Sequence, residues 1–392
     1  VNTIGRWRNV VHLFLVGGIL GLVVSACMEE PSPVGSHLLP PSDLFRFDTT
    51  TVGASKTTNT RAVPSSLLPS RILVGKTTDR ESWAALRFTQ IPDSLVLVNV
   101  LGAELLLRVN YHFGDSLAPF SARVHQILKS WGSDSLTIDS LRSPGFFQTT
   151  PMSDVQPGPL GDTATVAFPL DTAIVRAWLN EPLDTLKTNF GVLLQPTNSG
   201  VIKGFATSVA ATVGHRPQLV VRYSRQGSSR IDTVKISGST EAFAAFSPDA
   251  SWLMDSSKLY IHHGLSSRGT IEFDISSLPP TSTVHKAILE VTLDPTASRF
   301  NSYTVDSLYA FFVSEDGVLP SLFAVSEPRA TDGRKVYRFQ ISPFVQIWIR
   351  TASPRKIVLA GFAEQSSLDS FVLYGSSSPL KPKLIIIYSP IP

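Results

Sequence analysis

The sequence predicts an all-β chain built as two tandem antiparallel jelly-roll-like β-sandwiches, each carrying one short helix. Three observations predict it. The string "RPQLVVRY" at 216–223 returns as "KPKLIIIY" at 381–388, so a basic residue, a proline, a branched apolar run and a tyrosine close two regions in the same way. Between these closing strings lie short alternating segments separated by serine- and glycine-rich turns, the pattern of antiparallel strands. Each region also holds a single short helical pattern that ends on a tryptophan, and so many short strands with so little helix bury their apolar faces sheet on sheet. Two copies are too few for a solenoid, which needs at least about three stacked repeats.

At the front, Arg6 and Arg8 precede a mostly apolar run at 10–24, and "VSAC" closes it at 24–27. The run is short and wrongly flanked for a spanning helix and reads as a leader, 1–26. "VSAC" resembles the bacterial lipobox, which implies a diacylglycerol on Cys27, a new N-terminus there, and an address in the bacterial cell envelope, at the outer membrane or cell surface. Cys27 is the only cysteine of the chain. Lipidation accounts for a lone cysteine in an exported protein, and with no thiol left for a disulfide, stability has to come from the core. Residues 27–42, rich in proline and small residues, read as a tether.

Charge excludes one class of partner. Lys and Arg total 34 against 31 acidic residues; without Arg6 and Arg8 the balance is 32 to 31. No basic block stands out, so nucleic-acid binding has no electrostatic support.

Paired segments define the two copies. "AALRF" (84–88) matches "GTIEF" (269–273), with Leu86 and Phe88 against Ile271 and Phe273 on one strand face. Proline steps at Pro92 and Pro279 end these strands. "AELLLRV" (103–109) matches "AILEVTL" (287–293), beginning 15 residues after Phe88 and 14 after Phe273. The helical pair is "LDTAIVRAWL" (170–179) and "ISPFVQIWI" (341–349), aligned on Trp178 and Trp348. Thr172 and Ser342 are the expected N-caps, and Pro343 fits the first turn. Ile174, Val175 and Trp178 share one face, as do Phe344, Val345 and Trp348, so both tryptophans are expected in the core. The copies are placed at 43–224 and 230–392, with "SRQGSSR" (224–230) supplying a Gly- and Ser-rich linker at 225–229.

This order of elements resembles the DNRLRE-type domain, also described as carbohydrate-binding module family 96. "DRESWAALRF" (79–88), "SWGSDSLTI" (130–138), the capped helix and the closing strand carry the resemblance, which covers most of 43–224 and 230–389. Copy two shows "FFVSEDGVL" (311–319) where the family has a tryptophan segment, and neither copy has the literal name motif. The resemblance implies a secreted or surface jelly roll, largely non-catalytic, in a family some of whose members are similar to modules that bind acidic polysaccharides such as alginate.

Chemistry-bearing motifs are few. The chain has no P-loop, H-E-x-x-H, G-x-S-x-G or EF-hand loop, so no catalytic residue, metal ligand or cofactor is assigned. His262 and His263 are adjacent; neighbouring strand residues face opposite ways and rarely share a metal, which gives them a structural or solvent-facing role. "Asp-Ser-Leu" recurs at Asp93, Asp115, Asp134, Asp139 and Asp306, each a turn former followed by an apolar residue. Trp131 is expected to pack. Trp83, Tyr111, Trp252 and the "GFF" of 145–147 lie outside the alternating core pattern, and Trp83, Tyr111 and Trp252 are the ligand-stacking candidates. The expected protein is a non-catalytic, membrane-anchored surface lipoprotein for glycan binding, adhesion or envelope structure, whose partner is the membrane plus a polysaccharide or another envelope protein. The rival is a polysaccharide lyase or hydrolase, which needs paired carboxylates across a cleft.

Overall fold

The computed structural model describes residues 47–61, 69–183, 188–247, 249, 251–301, 303–351, 353–364 and 366–390. The expected leader (1–26), Cys27 and the tether (27–42) lie outside the described residues. The fold is all-β and antiparallel, as the alternation predicts, and Thr49–Ile391 form one compact unit.

An eleven-stranded sheet curls around the first core. Along its path run Ile231–Ile236, Gln218–Ser224, Asn99–Gly114, Val201–Ala206, Arg71–Lys76, Glu81–Phe88, Val192–Pro196, Pro119–Gln126 and Ser153–Pro159. Off this path, Ser239–Phe246 pairs with Glu81–Phe88, and Thr165–Pro169 with Asn99–Gly114. A nine-stranded sheet curls around the second core in the order Gly317–Ser326, Leu308–Ser314, Lys356–Gly361, Ser267–Phe273, Asp48–Arg61, Lys383–Ser389, Thr283–Thr292, Arg334–Gln340 and Pro328–Thr331. A ribbon of Lys258–His262 and Ser370–Tyr374 covers part of the second core with Leu259, Ile261, Phe371 and Leu373. Leu86 and Phe88 enter the first core and Ile271 and Phe273 the second, as the paired segments require.

The strand pairing crosses the boundary drawn from the sequence. Asp48–Arg61, inside the first expected range, lies in the second sheet, with Thr57 opposite Ile271. Residues 231–246, inside the second expected range, lie in the first, with Glu241 opposite Leu86 and Val234 opposite Val221. Since Leu86 and Ile271 are equivalent, the two halves exchange equivalent strands. The expected linker is the turn of a hairpin: Ser224 pairs with Ile231, Ser228 N donates to the Arg225 carbonyl (3.0 Å), and Gly227 takes the left-handed φ of +77°. Serine and glycine suit a tight turn as well as a spacer, which is why composition alone misplaced it. The chain passes between sheets elsewhere, from Arg61 to Arg71 and from Phe246 to Lys258.

Each exchanged strand carries a buried polar side chain that ties it to a loop of its host half. Glu241, 1% exposed, accepts from Ser208 N (3.1 Å), Ser208 Oγ (2.9 Å) and Ser239 Oγ (2.5 Å). Asn59 does the same in the second half, where it organises the site described below.

Both helices form where expected, at Thr172–Leu179 and Ser342–Arg350, and bury Trp178 and Trp348. Each packs on the strand that follows the proline step, Asn99–Gly114 or Thr283–Thr292. The caps fall one residue earlier than expected. Asp171 Oδ1 accepts from Ala173 N (2.7 Å) and Ile174 N (3.2 Å), a two-fold satisfaction that leaves Thr172 inside the helix. In the second helix Ile341 holds the N-cap position without a side-chain bond, and Ser342 Oγ instead accepts from Ala287 N (2.9 Å), fastening the helix to the sheet. A further short helix, Ile138–Arg142, is capped by Thr137 and covers the outer face of the first sheet with Leu141.

Candidate functional site: a recess between the halves

The three expected stacking residues fall in three different surroundings. Trp83 is 6% exposed, packs edge-on against Phe147 (centroids 6.2 Å, 80°) and donates from Nε1 to Glu81 Oε1 (2.7 Å). Tyr111 is fully buried beneath the Arg71 guanidinium, and its hydroxyl oxygen accepts from Leu368 N (3.0 Å). Neither presents a face to solvent, which corrects the expectation from the alternating pattern. That pattern assumes one wet sheet face. Here the second face is covered, for Trp83 by the segment containing Leu136, Leu141 and Phe146, and for Tyr111 by contact with the other half.

Trp252 is different. It lies in the one-turn 3-10 helix Ser251–Met254 and is 8% exposed, yet it lines a recess of about 330 Å³ to which both halves contribute. Its Nε1 is buried without a hydrogen-bond partner. Three rings meet there: Trp252 lies 5.1 Å from His262 at 76° and 6.2 Å from Tyr260, and Tyr260 lies 5.6 Å from His262. A polyhydroxylated ring needs this kind of wall, because its C–H face packs on aromatics while its hydroxyls look for polar partners.

Asn59, from the exchanged strand, builds that wall. Its Nδ2 faces the carbonyls of Trp252 (3.1 Å), Asp255 (3.0 Å) and Lys258 (3.0 Å), and its Oδ1 accepts from Tyr260 N (2.8 Å). One amide thus sets the path of the segment that carries both Trp252 and Tyr260. Thr57, two residues earlier on the same strand face, donates to Ser256 O (3.1 Å).

Carboxylates and arginines complete the lining. Asp255 Oδ2 accepts from the Tyr260 hydroxyl (2.8 Å), and Oδ1 from Ser257 N (2.8 Å) and Ser257 Oγ (2.6 Å). Burial pushes this carboxyl up, but those hydrogen bonds outweigh it and hold it below the usual range; the Tyr260 hydroxyl is pushed up to about 12, by burial first and then by Asp255. Asp249 is exposed and held low chiefly by the Ser251 N–H. From the first half comes Asp79, whose Oδ2 meets Arg299 Nη1 at 2.9 Å.

Arg80 forms the floor at 3% exposure. Its guanidinium donates to the Leu368 carbonyl and Ser370 Oγ and lies 3.3 Å from His262 Nδ1, which in turn lies 2.7 Å from Ser370 Oγ. Burial, then the Arg80 charge, pushes both His262 and His263 down to about 3. Both imidazoles are neutral at ordinary pH. His263 is wholly buried, with Nδ1 2.6 Å from Ser367 Oγ, which bears out a structural role for it; His262 belongs to the recess. Among the described residues no three His, Cys, Asp or Glu side chains are grouped to hold a metal.

A second aromatic surface escaped sequence reading. On the outer face of the second sheet, Tyr309 stacks on Phe362 (5.3 Å, 17°) and meets Phe323 (5.3 Å) and Phe311 (5.4 Å), with Phe323 48% and Phe362 51% exposed. The signal was present in "LYAFF" (308–312), which puts aromatics on both faces of one strand.

No family model matches the chain, and no curated protein matches it. Among solved structures the chain is similar to the infectious bursal disease virus VP2 subviral particle, at 10% identity over 90% of this chain and 79% of that one, with a TM-score of 0.14. A likeness at that score carries no argument here.

Proposed function

We propose that the protein is a non-catalytic glycan-binding lipoprotein, anchored in the bacterial envelope through Cys27, that holds a sugar unit in the recess beside Trp252. The carrying observation is the wall of Trp252, Tyr260 and His262 facing carboxylates and a guanidinium drawn from both halves. An apolar wall with a few convergent polar groups is the usual composition of a small-ligand site. The resemblance to the DNRLRE-type domain supports the same reading. Two facts favour binding over hydrolysis. A general acid at a glycosidic bond works from a raised pKa, whereas Asp249 and Asp255 are both held low. Asp255 is also engaged on both oxygens.

The test is calorimetric titration of soluble 28–392 with neutral, amino and acidic oligosaccharides at physiological salt. Binding that is lost in Trp252→Ala and kept in Phe323→Ala supports the recess. Loss in Phe323→Ala alone moves the site to the outer aromatic surface, and cleavage of any of the oligosaccharides overturns the non-catalytic reading.

A further inference from the structure

Resting on the glycan reading, the charges around the recess narrow the ligand class. Five charged side chains line it: Asp79, Asp249 and Asp255 against Arg80 and Arg299. The two cations are not equally available. Arg80 is buried, and its Nη atoms are taken up by Leu368 O, Ser370 Oγ and His262. Arg299 is 60% exposed but is paired at 2.9 Å with Asp79. His262 adds no charge at neutral pH. The lining therefore carries three carboxylates against two guanidiniums, a formal net charge of −1, and Asp249 and Asp255 are the members without an ion pair within it, Asp255 already accepting on both oxygens.

A uronate would bring a third carboxylate toward these two, and like charges at contact distance repel. An uncharged sugar gains only hydrogen bonds. A sugar bearing an ammonium gains attraction to Asp249 and Asp255, and its cation can sit against the electron-rich faces of Trp252 and Tyr260.

We infer that the recess selects an amino sugar with a free amine, such as a glucosamine unit of a partly deacetylated polysaccharide, and discriminates against uronates. This runs opposite to the acidic polysaccharides bound by modules that some members of the resembled family are similar to.

The experiment titrates soluble 28–392 with three tetrasaccharides: β-1,4-glucosamine, β-1,4-glucose and β-1,4-mannuronate, at pH 6.0 and low salt. The glucosamine oligomer is expected to bind at least about fivefold more tightly than the glucose oligomer, the scale of one ion pair near a protein surface, with the mannuronate weakest. Asp249 is exposed, so Asp249→Asn should fold normally, and it should erase most of that preference. Equal or tighter binding of the mannuronate or glucose oligomer, or a preference untouched by Asp249→Asn, overturns the amino-sugar assignment and leaves the glycan reading standing. Binding of none of the three overturns both.

Discussion

Asn59 and Trp252 stand 193 residues apart in sequence and are joined by a 3.1 Å hydrogen bond from the Asn59 side-chain amide to the Trp252 carbonyl. The bond reaches from the first strand of the described chain to the wall of the candidate site, so the geometry of the recess depends on a strand that the sequence assigns to the opposite copy.

Asn59→Ala should therefore damage both stability and binding. It leaves the carbonyls of Trp252, Asp255 and Lys258 and the Tyr260 N–H without this partner. One to two orphaned buried groups cost about 2–4 kcal/mol. Urea unfolding should show that loss, and titration should show weaker oligosaccharide binding than stability alone accounts for at temperatures where the variant is folded.

Cutting the chain at the sequence boundary should fail. Residues 230–392 lack Asp48–Arg61, which lies between Ser267–Phe273 and Lys383–Ser389, and leave two interior strands with bare edges. A permuted chain joining 251–391 to 48–61 should fold. Circular dichroism and thermal melting of the two fragments check this; a cooperative melt of 230–392 alone would show the exchange to be dispensable.

Trp178 and Trp348 are 2% and 0% exposed at equivalent helix positions. Alanine at either should cost about 3–5 kcal/mol. Phenylalanine should cost well under half of that, because the Nε1 of each is buried without a partner and its removal orphans nothing. Chemical denaturation of the four variants makes the comparison.

Acid should destabilise the fold from near neutrality downward. His262 and His263 carry folded values of about 3, below the ordinary 6.5, so the unfolded chain binds more protons between those limits. Stability is fully present above about pH 6.5 and declines as pH falls toward 3, by on the order of 3 kcal/mol per histidine at pH 4. Asp369, raised by burial, acts in the opposite sense above its unfolded value of 3.8 and reduces the slope in that lower range. Urea midpoints from pH 7.5 to 4 should show the decline, and His262→Gln should flatten it.

Lipidation is checked at the other end of the chain. Wild-type protein should partition into detergent and yield a diacylglycerol-modified N-terminal peptide by mass spectrometry. Cys27→Ser should move to the soluble fraction.

The core of this fold was legible because its strands alternate strongly. Leu86, Phe88, Ile271, Phe273 and both tryptophans sit where period-two and helical patterns put them. The exchanged strand was not legible. Asp48–Arg61 reads DTTTVGASKTTNTR, with Val52 and Ala54 its apolar residues, and a threonine-rich strand gets its place from backbone pairing, which leaves little trace in side-chain type. The recess was half legible. Trp252 stood out as an aromatic outside the alternating pattern, whereas Asp79 and Asn59, from the range of the first copy, join it only through tertiary contacts. Trp83 and Tyr111 were misplaced because a strand covered on both faces loses the contrast that alternation depends on.

The reciprocal placement of 48–61 and 231–246 also bears on how the chain comes apart. Each sheet holds a guest strand whose chain runs on into the opposite core. Neither core can therefore melt without pulling a strand from the other, and the two should unfold as one cooperative block. Calorimetry should then give a single transition whose van't Hoff and calorimetric enthalpies agree, where two independent domains would give two.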